Sequence, residues 1–116
     1  MLFVWYPKCN TCQRAKKWLD AHGKAAETRD IKSQPPTAEE LSAWQEKSGL
    51  PLKKFFNTSG QSYRALGLKD RLDTMDRAEQ LALLAEDGML VKRPILVDGD
   101  TVLVGFKEAD WTAALG

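Results

Sequence analysis

Two cysteines, Cys9 and Cys12, stand in the stretch Tyr6-Pro7-Lys8-Cys9-Asn10-Thr11-Cys12-Gln13-Arg14-Ala15, and the chain has no others. A Cys-x-x-Cys pair suits thiol–disulfide exchange: one thiolate attacks a disulfide, and the second thiol closes an intramolecular bond and frees the adduct. Zinc is a poor competitor, because a structural site takes four ligands and the only histidine, His22, is distant in sequence. A purely structural disulfide would close so small a loop that it removes little unfolded-state entropy. Two inert core cysteines are the remaining alternative, since free cysteine is often buried. Redox use is the favoured reading for such a pair beside a βαβ pattern.

Reactivity depends on what holds the pair. Leu2-Phe3-Val4-Trp5-Tyr6 is an apolar run of strand length. Beyond the cysteines, Ala15, Trp18 and Leu19 recur at helical spacing, and His22-Gly23 ends the helix. Cys9 therefore belongs at a helix N-terminus, nearest the unpaired N–H groups, as nucleophile, with Cys12 as the resolving thiol. A free thiol has a pKa of about 8.5, so about three in a hundred are ionised near neutrality. Lowering it by about two units takes about 2.7 kcal/mol, whereas a helix dipole supplies about 0.3–1 kcal/mol. Backbone N–H groups, the Thr11 hydroxyl or a cation delivered by the fold must supply the rest.

The chain has 116 residues, 43% hydrophobic and 28% charged, which suits one soluble domain over residues 1–116 with a real core. A formal net charge of +1 gives no footprint for direct nucleic-acid binding. No apolar run reaches membrane-spanning length, and residues 1–6 lack the basic leader of a signal peptide. A lone cysteine pair is not a secreted disulfide framework, so a cytoplasmic location is expected.

Ala25 to Ile31 fits a second strand, which completes a parallel, right-handed βαβ unit. Gln34-Pro35-Pro36 breaks the chain. Thr37-Ala38-Glu39-Glu40 is a capping box opening a helix that turns Leu41 and Trp44 inward and closes at Gly49. Leu50 to Leu72 predicts short helical pieces interrupted by Gly60 and Gly67. Asp76-Arg77-Ala78-Glu79 is a second capping box, with Leu81, Leu84 and Ala85 on one face and an end at Gly88. Residues 37–88 thus form a mainly helical insertion. Ile95-Leu96-Val97 and Thr101-Val102-Leu103-Val104 flank the hairpin signal Asp98-Gly99-Asp100. A terminal helix carries Ala109, Leu115 and, at its edge, Trp111. The order is β-α-β, helices, β-β-α, an α/β chain.

Several conspicuous residues have plain structural readings. His22 suits a helix-end capping or dipole role better than that of a base. Trp5, Trp18, Trp44 and Trp111 form no stacking stripe for bases, and most belong to the core. Lys16-Lys17 is a solvated helix face, and Asp98 and Asp100 flank a turn glycine, which needs no metal.

With its motifs in this order, the chain resembles the arsenate reductase C / Spx family of thioredoxin-fold proteins over nearly its whole length. Five stretches carry the resemblance: Tyr6 to Cys12, Phe56-Asn57-Thr58-Ser59-Gly60, Leu66-Gly67-Leu68, Lys92-Arg93-Pro94-Ile95-Leu96-Val97 and Val104-Gly105-Phe106. The resemblance implies a thioredoxin-like fold with a four-stranded mixed sheet and the helical insertion between strands 2 and 3. It also implies a cis Pro94 facing Cys9, and an Arg93 side chain reaching towards the Cys9 sulfur. A guanidinium offers permanent charge and a fork of donors. Arg93 and Thr11 would then lower the Cys9 pKa, with Asn57 and Ser59 as weaker substrate contacts.

Arsenate-reducing members resemble this chain at Cys9 and Arg93. They carry two further arginines, at positions that here are Asn57 and Gly105, and a serine where this chain has Cys12. Charge-assisted bonds are worth about 1.5–3 kcal/mol each, so poor or no arsenate reduction is expected. The resemblance therefore implies a thiol-disulfide oxidoreductase acting on a small-thiol or protein disulfide, with no bound cofactor or metal. Glutathione, or a glutaredoxin or thioredoxin, would be the electron donor. The alternative is an Spx-like redox-sensing transcription regulator that binds the RNA polymerase α C-terminal domain; those regulators have a longer C-terminal tail.

Overall fold

A computed structural model describes residues 1–116. Its centre is the strand β1 (Leu2–Trp5), flanked by β2 (Glu27–Asp30) in parallel and β3 (Ile95–Asp98) antiparallel. β4 (Thr101–Val104) pairs antiparallel with β3 and forms the far edge, so the mixed sheet runs β2-β1-β3-β4. Successive side chains of a strand point to opposite faces, and β1 is apolar on both because both are covered. Phe3 joins Ala15, Trp18, Leu19, Leu96 and Trp111 on one face. Val4 joins the larger cluster on the other, with Ile31, Leu41, Phe55, Phe56 and Ile95.

The strand expected over Ala25 to Ile31 is shorter, because β1 offers it only four paired residues, Leu2 to Trp5. The helix α1 (Asn10–Ala21) joins β1 to β2 and buries Cys12, Ala15, Trp18 and Leu19. At its end His22 stacks on the Trp18 ring, with centroids 4.0 Å apart, and its Nδ1 lies 2.8 Å from the Trp18 carbonyl.

Between β2 and β3 come α2 (Ala38–Ser48), α3 (Gln61–Ala65), α4 (Leu68–Arg71) and α5 (Arg77–Glu86), with short 3-10 turns among them. The capping box of α2 is complete. Glu40 N–H donates to Thr37 Oγ1 at 3.1 Å, and Thr37 N–H donates to Glu40 Oε1 at 3.0 Å. The same carboxylate accepts both arms of the Arg29 fork at 2.9 Å, tying α2 to β2. That pairing holds the Glu40 carboxyl below the usual range: the Arg29 hydrogen bonds outweigh partial burial, with help from Thr37.

Three expectations need correction. The second capping box is only half made: Asp76 accepts from Glu79 N–H at 2.8 Å, and no bond returns from the Glu79 side chain. The helix expected to end at Gly88 closes one residue earlier, with Asp87 as its C-cap. Glycine is needed at 88 because a Cβ there would lie 1.9 Å from the Ile31 carbonyl oxygen. In the terminal helix α6 (Glu108–Leu115), Ala109 is exposed and Trp111 is buried rather than at the edge. With Leu115 packed against the same cluster as Trp111, the helix docks mainly through that aromatic. Its ring meets Phe3, Trp18 and Phe106 edge-on, and its Nε1 donates to the Gly105 carbonyl at 3.1 Å.

Candidate active site

The chain leaves β1 through Tyr6-Pro7-Lys8 and enters α1 at Cys9, which occupies the N-cap with extended backbone (φ −88°, ψ 124°). Cys9 N–H donates to the Tyr6 carbonyl at 2.9 Å, and the Cys9 carbonyl accepts from Gln13 N–H at 2.9 Å. The Gln13 side chain closes the loop from outside by donating to the Pro7 carbonyl at 2.8 Å. The nucleophile candidate thus stands on a turn pinned from both ends, partly open to solvent, while Cys12 on the inner face of the first helical turn is fully buried. Both are free thiols.

Their surroundings push the two thiols in opposite directions. Partial burial raises the Cys9 pKa, but this is outweighed by hydrogen bonds from the Cys12 backbone and thiol, by the charge of Arg93 and by the Thr11 N–H, so the net direction is down. Cys12 is pushed up to about 12, first by burial and then by its hydrogen bond to Cys9 and the Cys9 charge. The Tyr6 N–H, 3.5 Å from Cys12 Sγ, and Arg93 oppose that rise. When the pair has lost one proton, the proton that remains therefore sits on the inner sulfur.

Arg93 reaches the site from the segment before β3. Nη1 donates to the Met89 carbonyl at 3.2 Å, and the guanidinium lies 5.5 Å from the centre of the Tyr6 ring. Its Nε is buried without a hydrogen-bond partner. The Arg93–Pro94 bond is cis, and the Pro94 carbonyl accepts from Gly105 N–H at 2.8 Å. Sequence reasoning missed Tyr6 and Met89. Met89 acts through a carbonyl and Tyr6 through a main-chain donor, groups that carry no signal in the residue type; the Tyr6 ring face under Arg93 is the one type-specific contact.

The remaining candidates divide. Thr11 contributes its backbone N–H to Cys9, not the hydroxyl named as one source of help. Asn57 and Ser59 form a turn of their own: Asn57 N–H donates to the Leu90 carbonyl at 2.8 Å, and Ser59 Oγ donates to Asn57 Oδ1 at 3.4 Å. None of their hydrogen bonds reaches either thiol. Gly105 is buried with φ +76°, and a Cβ there would lie 3.3 Å from Lys92 Cε.

Residues 4–114 match the profile of the ArsC family. The chain belongs to that family. Among its ArsC relatives, an uncharacterised Bacillus subtilis protein, YusI, is 61% identical over 93% of this chain and 92% of its own length. The global transcriptional regulator Spx of Enterococcus faecalis is 30% identical over 88% of this chain and 76% of its own length. A solved structure of an ArsC family related protein from Bacteroides fragilis superposes with a TM-score of 0.94 at 54% identity, covering 97% of this chain and 94% of that one. The ArsC fold, with its thioredoxin-like mixed sheet, is therefore the fold of this chain, and the protein is of arsenate-reductase-like or Spx-like type. No helix is long and apolar enough to cross a membrane.

Proposed function

We propose that the protein is a thiol–disulfide oxidoreductase in which Cys9 is the nucleophile and Cys12 the resolving thiol. The observation that carries this is a partly open free thiol at the N-cap of α1, one helical turn from a buried second thiol and beside the Arg93 guanidinium held by the Met89 carbonyl. The Cys9 thiolate attacks one sulfur of a substrate disulfide, forms a mixed disulfide and expels the other half as a thiolate. The negative charge at Cys9 is thereby lost. Two causes of the high Cys12 pKa, its hydrogen bond to Cys9 and the Cys9 charge, disappear with it. Cys12 then gives its proton to the departing thiolate and attacks Cys9 Sγ, releasing the second half. The substrate disulfide gains two electrons, and the Cys9–Cys12 disulfide is returned to dithiol by glutathione or a glutaredoxin- or thioredoxin-type donor.

Arsenate is a poor substrate in this reading. Arg93 is the one guanidinium acting on Cys9, and the positions matching the family's two further arginines hold Asn57 and Gly105. Missing charge-assisted bonds cost about 1.5–3 kcal/mol each, so capture is weaker by at least about two orders of magnitude.

The test is turnover of a glutathione mixed disulfide and of arsenate, with Cys9→Ser and Cys12→Ser beside the native chain. Loss of turnover in Cys9→Ser, and a mass adduct trapped on Cys9 in Cys12→Ser, are expected. Turnover surviving in Cys9→Ser refutes the mechanism.

The Spx relative favours a second reading, a redox-sensing regulator that docks on the RNA polymerase α C-terminal domain. Capture of that domain only after, or only before, oxidation of the pair would put this reading first.

A further inference from the structure

A spacious groove lies away from the cysteines. It is open, holds about 710 Å³, and runs along β4 between residues 48–58 and the start of α6. Four lysines, Lys53, Lys54, Lys92 and Lys107, line it against Asp110 alone. None of the four belongs to an ion pair, since the salt bridges join Lys16 to Asp20, Arg29 to Glu40 and Arg77 to Glu46. Leu50, a large exposed apolar residue, adds apolar surface.

The wall between those lysines is a strand edge, and its register shows what it offers. β3 and β4 are joined by a two-residue turn, pairing Asp98 with Thr101, Leu96 with Leu103, and Ile95 with Val104. In a two-residue hairpin the closing pair exchanges hydrogen bonds and alternate pairs follow. The Gly105 N–H to Pro94 carbonyl bond keeps the same parity. Thr101, Leu103 and Gly105 therefore direct their main-chain groups to β3, while Val102 and Val104 direct theirs outward. Neither valine makes a main-chain hydrogen bond outside the strand ladder. Each residue has one donor and one acceptor, so the edge carries an alternating row without a protein partner along the lysine-lined groove. That edge is more open at half-buried Val104 than at Val102, which is 6% exposed.

The geometry points to this groove as a docking site for an extended, acidic segment of another protein, added to β4 as a fifth strand. Strand addition supplies main-chain hydrogen bonds, while side chains at alternate positions set specificity. Here the lysines favour Glu or Asp at those positions, and Leu50 favours an apolar residue between them. A second copy of this chain is the wrong occupant, because edge-to-edge pairing would set one lysine row against another. A bare polyanion would satisfy the lysines yet leave the outward carbonyls of Val102 and Val104 without donors. The site does not depend on the thiol chemistry proposed above.

The test is amide NMR of the full chain with a peptide of roughly eight residues, alternating Glu and Val. The expected result is shifts and slowed exchange at the Val102 and Val104 amides, with affinity that falls as salt rises. Lys53→Glu combined with Lys107→Glu is expected to weaken binding by about tenfold or more while leaving disulfide turnover unchanged. A peptide N-methylated at alternate residues is expected to lose a similar factor, since it cannot donate to the edge. Equal binding of the N-methylated peptide overturns the proposal, as do shifts that spare Val102 and Val104. So does polyphosphate binding where the peptide does not, or a dimer through β4 in light scattering.

Discussion

The burial of Cys12 makes a quantitative prediction. With its pKa at about 12, Cys12 at pH 7 is ionised in about one molecule in 10⁵, against about three in a hundred for an ordinary thiol. Alkylation of Cys12 should therefore run about 3,000-fold slower than that of an unperturbed thiol, before burial slows it further. Cys9 should label first, and peptide mass spectrometry after brief iodoacetamide exposure separates the two. Cys9→Ala removes two of the causes that raise Cys12, its hydrogen bond to Cys9 and the Cys9 charge, while burial persists. The 240 nm thiolate absorbance of that variant should titrate at lower pH than Cys12 does in the native chain. The same ionisation appears in stability, with a definite sign. Above pH about 8.5 the unfolded chain releases the Cys12 proton and the folded chain keeps it, so stability falls by about 1.4 kcal/mol per pH unit. By pH 10 the native chain should have lost about 2 kcal/mol that a Cys12→Ala variant does not lose. Labelling of both cysteines within about tenfold of each other at pH 7 would refute the reasoning, as would a Cys9→Ala titration that has not moved down.

Other perturbations follow from the same geometry. Arg93→Met removes the cation beside Cys9, so the pH midpoint for fast Cys9 alkylation should move up, and Arg93→Lys should restore part of the difference. Gly88→Ala drives a Cβ into the Ile31 carbonyl; about 3 kcal/mol of stability should be lost, seen as a fall of about 1 M or more in the urea midpoint. Glu40 is held ionised mainly by Arg29, so the stability it adds is present above pH about 4.3 and is lost as pH falls through its lower folded value. Glu40→Gln should cost about 1 kcal/mol at pH 7 and flatten acid unfolding between about pH 5 and 3.

Element order was legible in the chain because β1, β3 and β4 are apolar runs of strand length, the longer helices carry an apolar face at helical spacing, and the turns carry glycine or capping residues. The exception is β2, Glu27-Thr28-Arg29-Asp30, which carries no such period. Cys9, Cys12 and Arg93 were legible by type, since few side chains supply a nucleophile, a resolving thiol and a fixed cation. What escaped acts through the main chain or through packing at long range. The Tyr6 N–H, the Met89 carbonyl and the Thr11 N–H are groups every residue type possesses. Gly88 looked like a helix end until Ile31 was found against it. Trp111 looked peripheral by helical spacing, because its burial comes from Phe3, Trp18 and Phe106 rather than from neighbours on its own helix.

Gly105 restricts the chemistry this fold could take up later. Its backbone lies in the left-handed region, its N–H is given to Pro94, and its carbonyl is claimed by the Trp111 indole. An arginine written there by a single codon change would meet Lys92 and strain the corner that anchors α6. Adding an oxyanion-gripping arginine at this corner would thus carry a stability cost of about 1–2 kcal/mol from the left-handed backbone, whatever room the lysine makes.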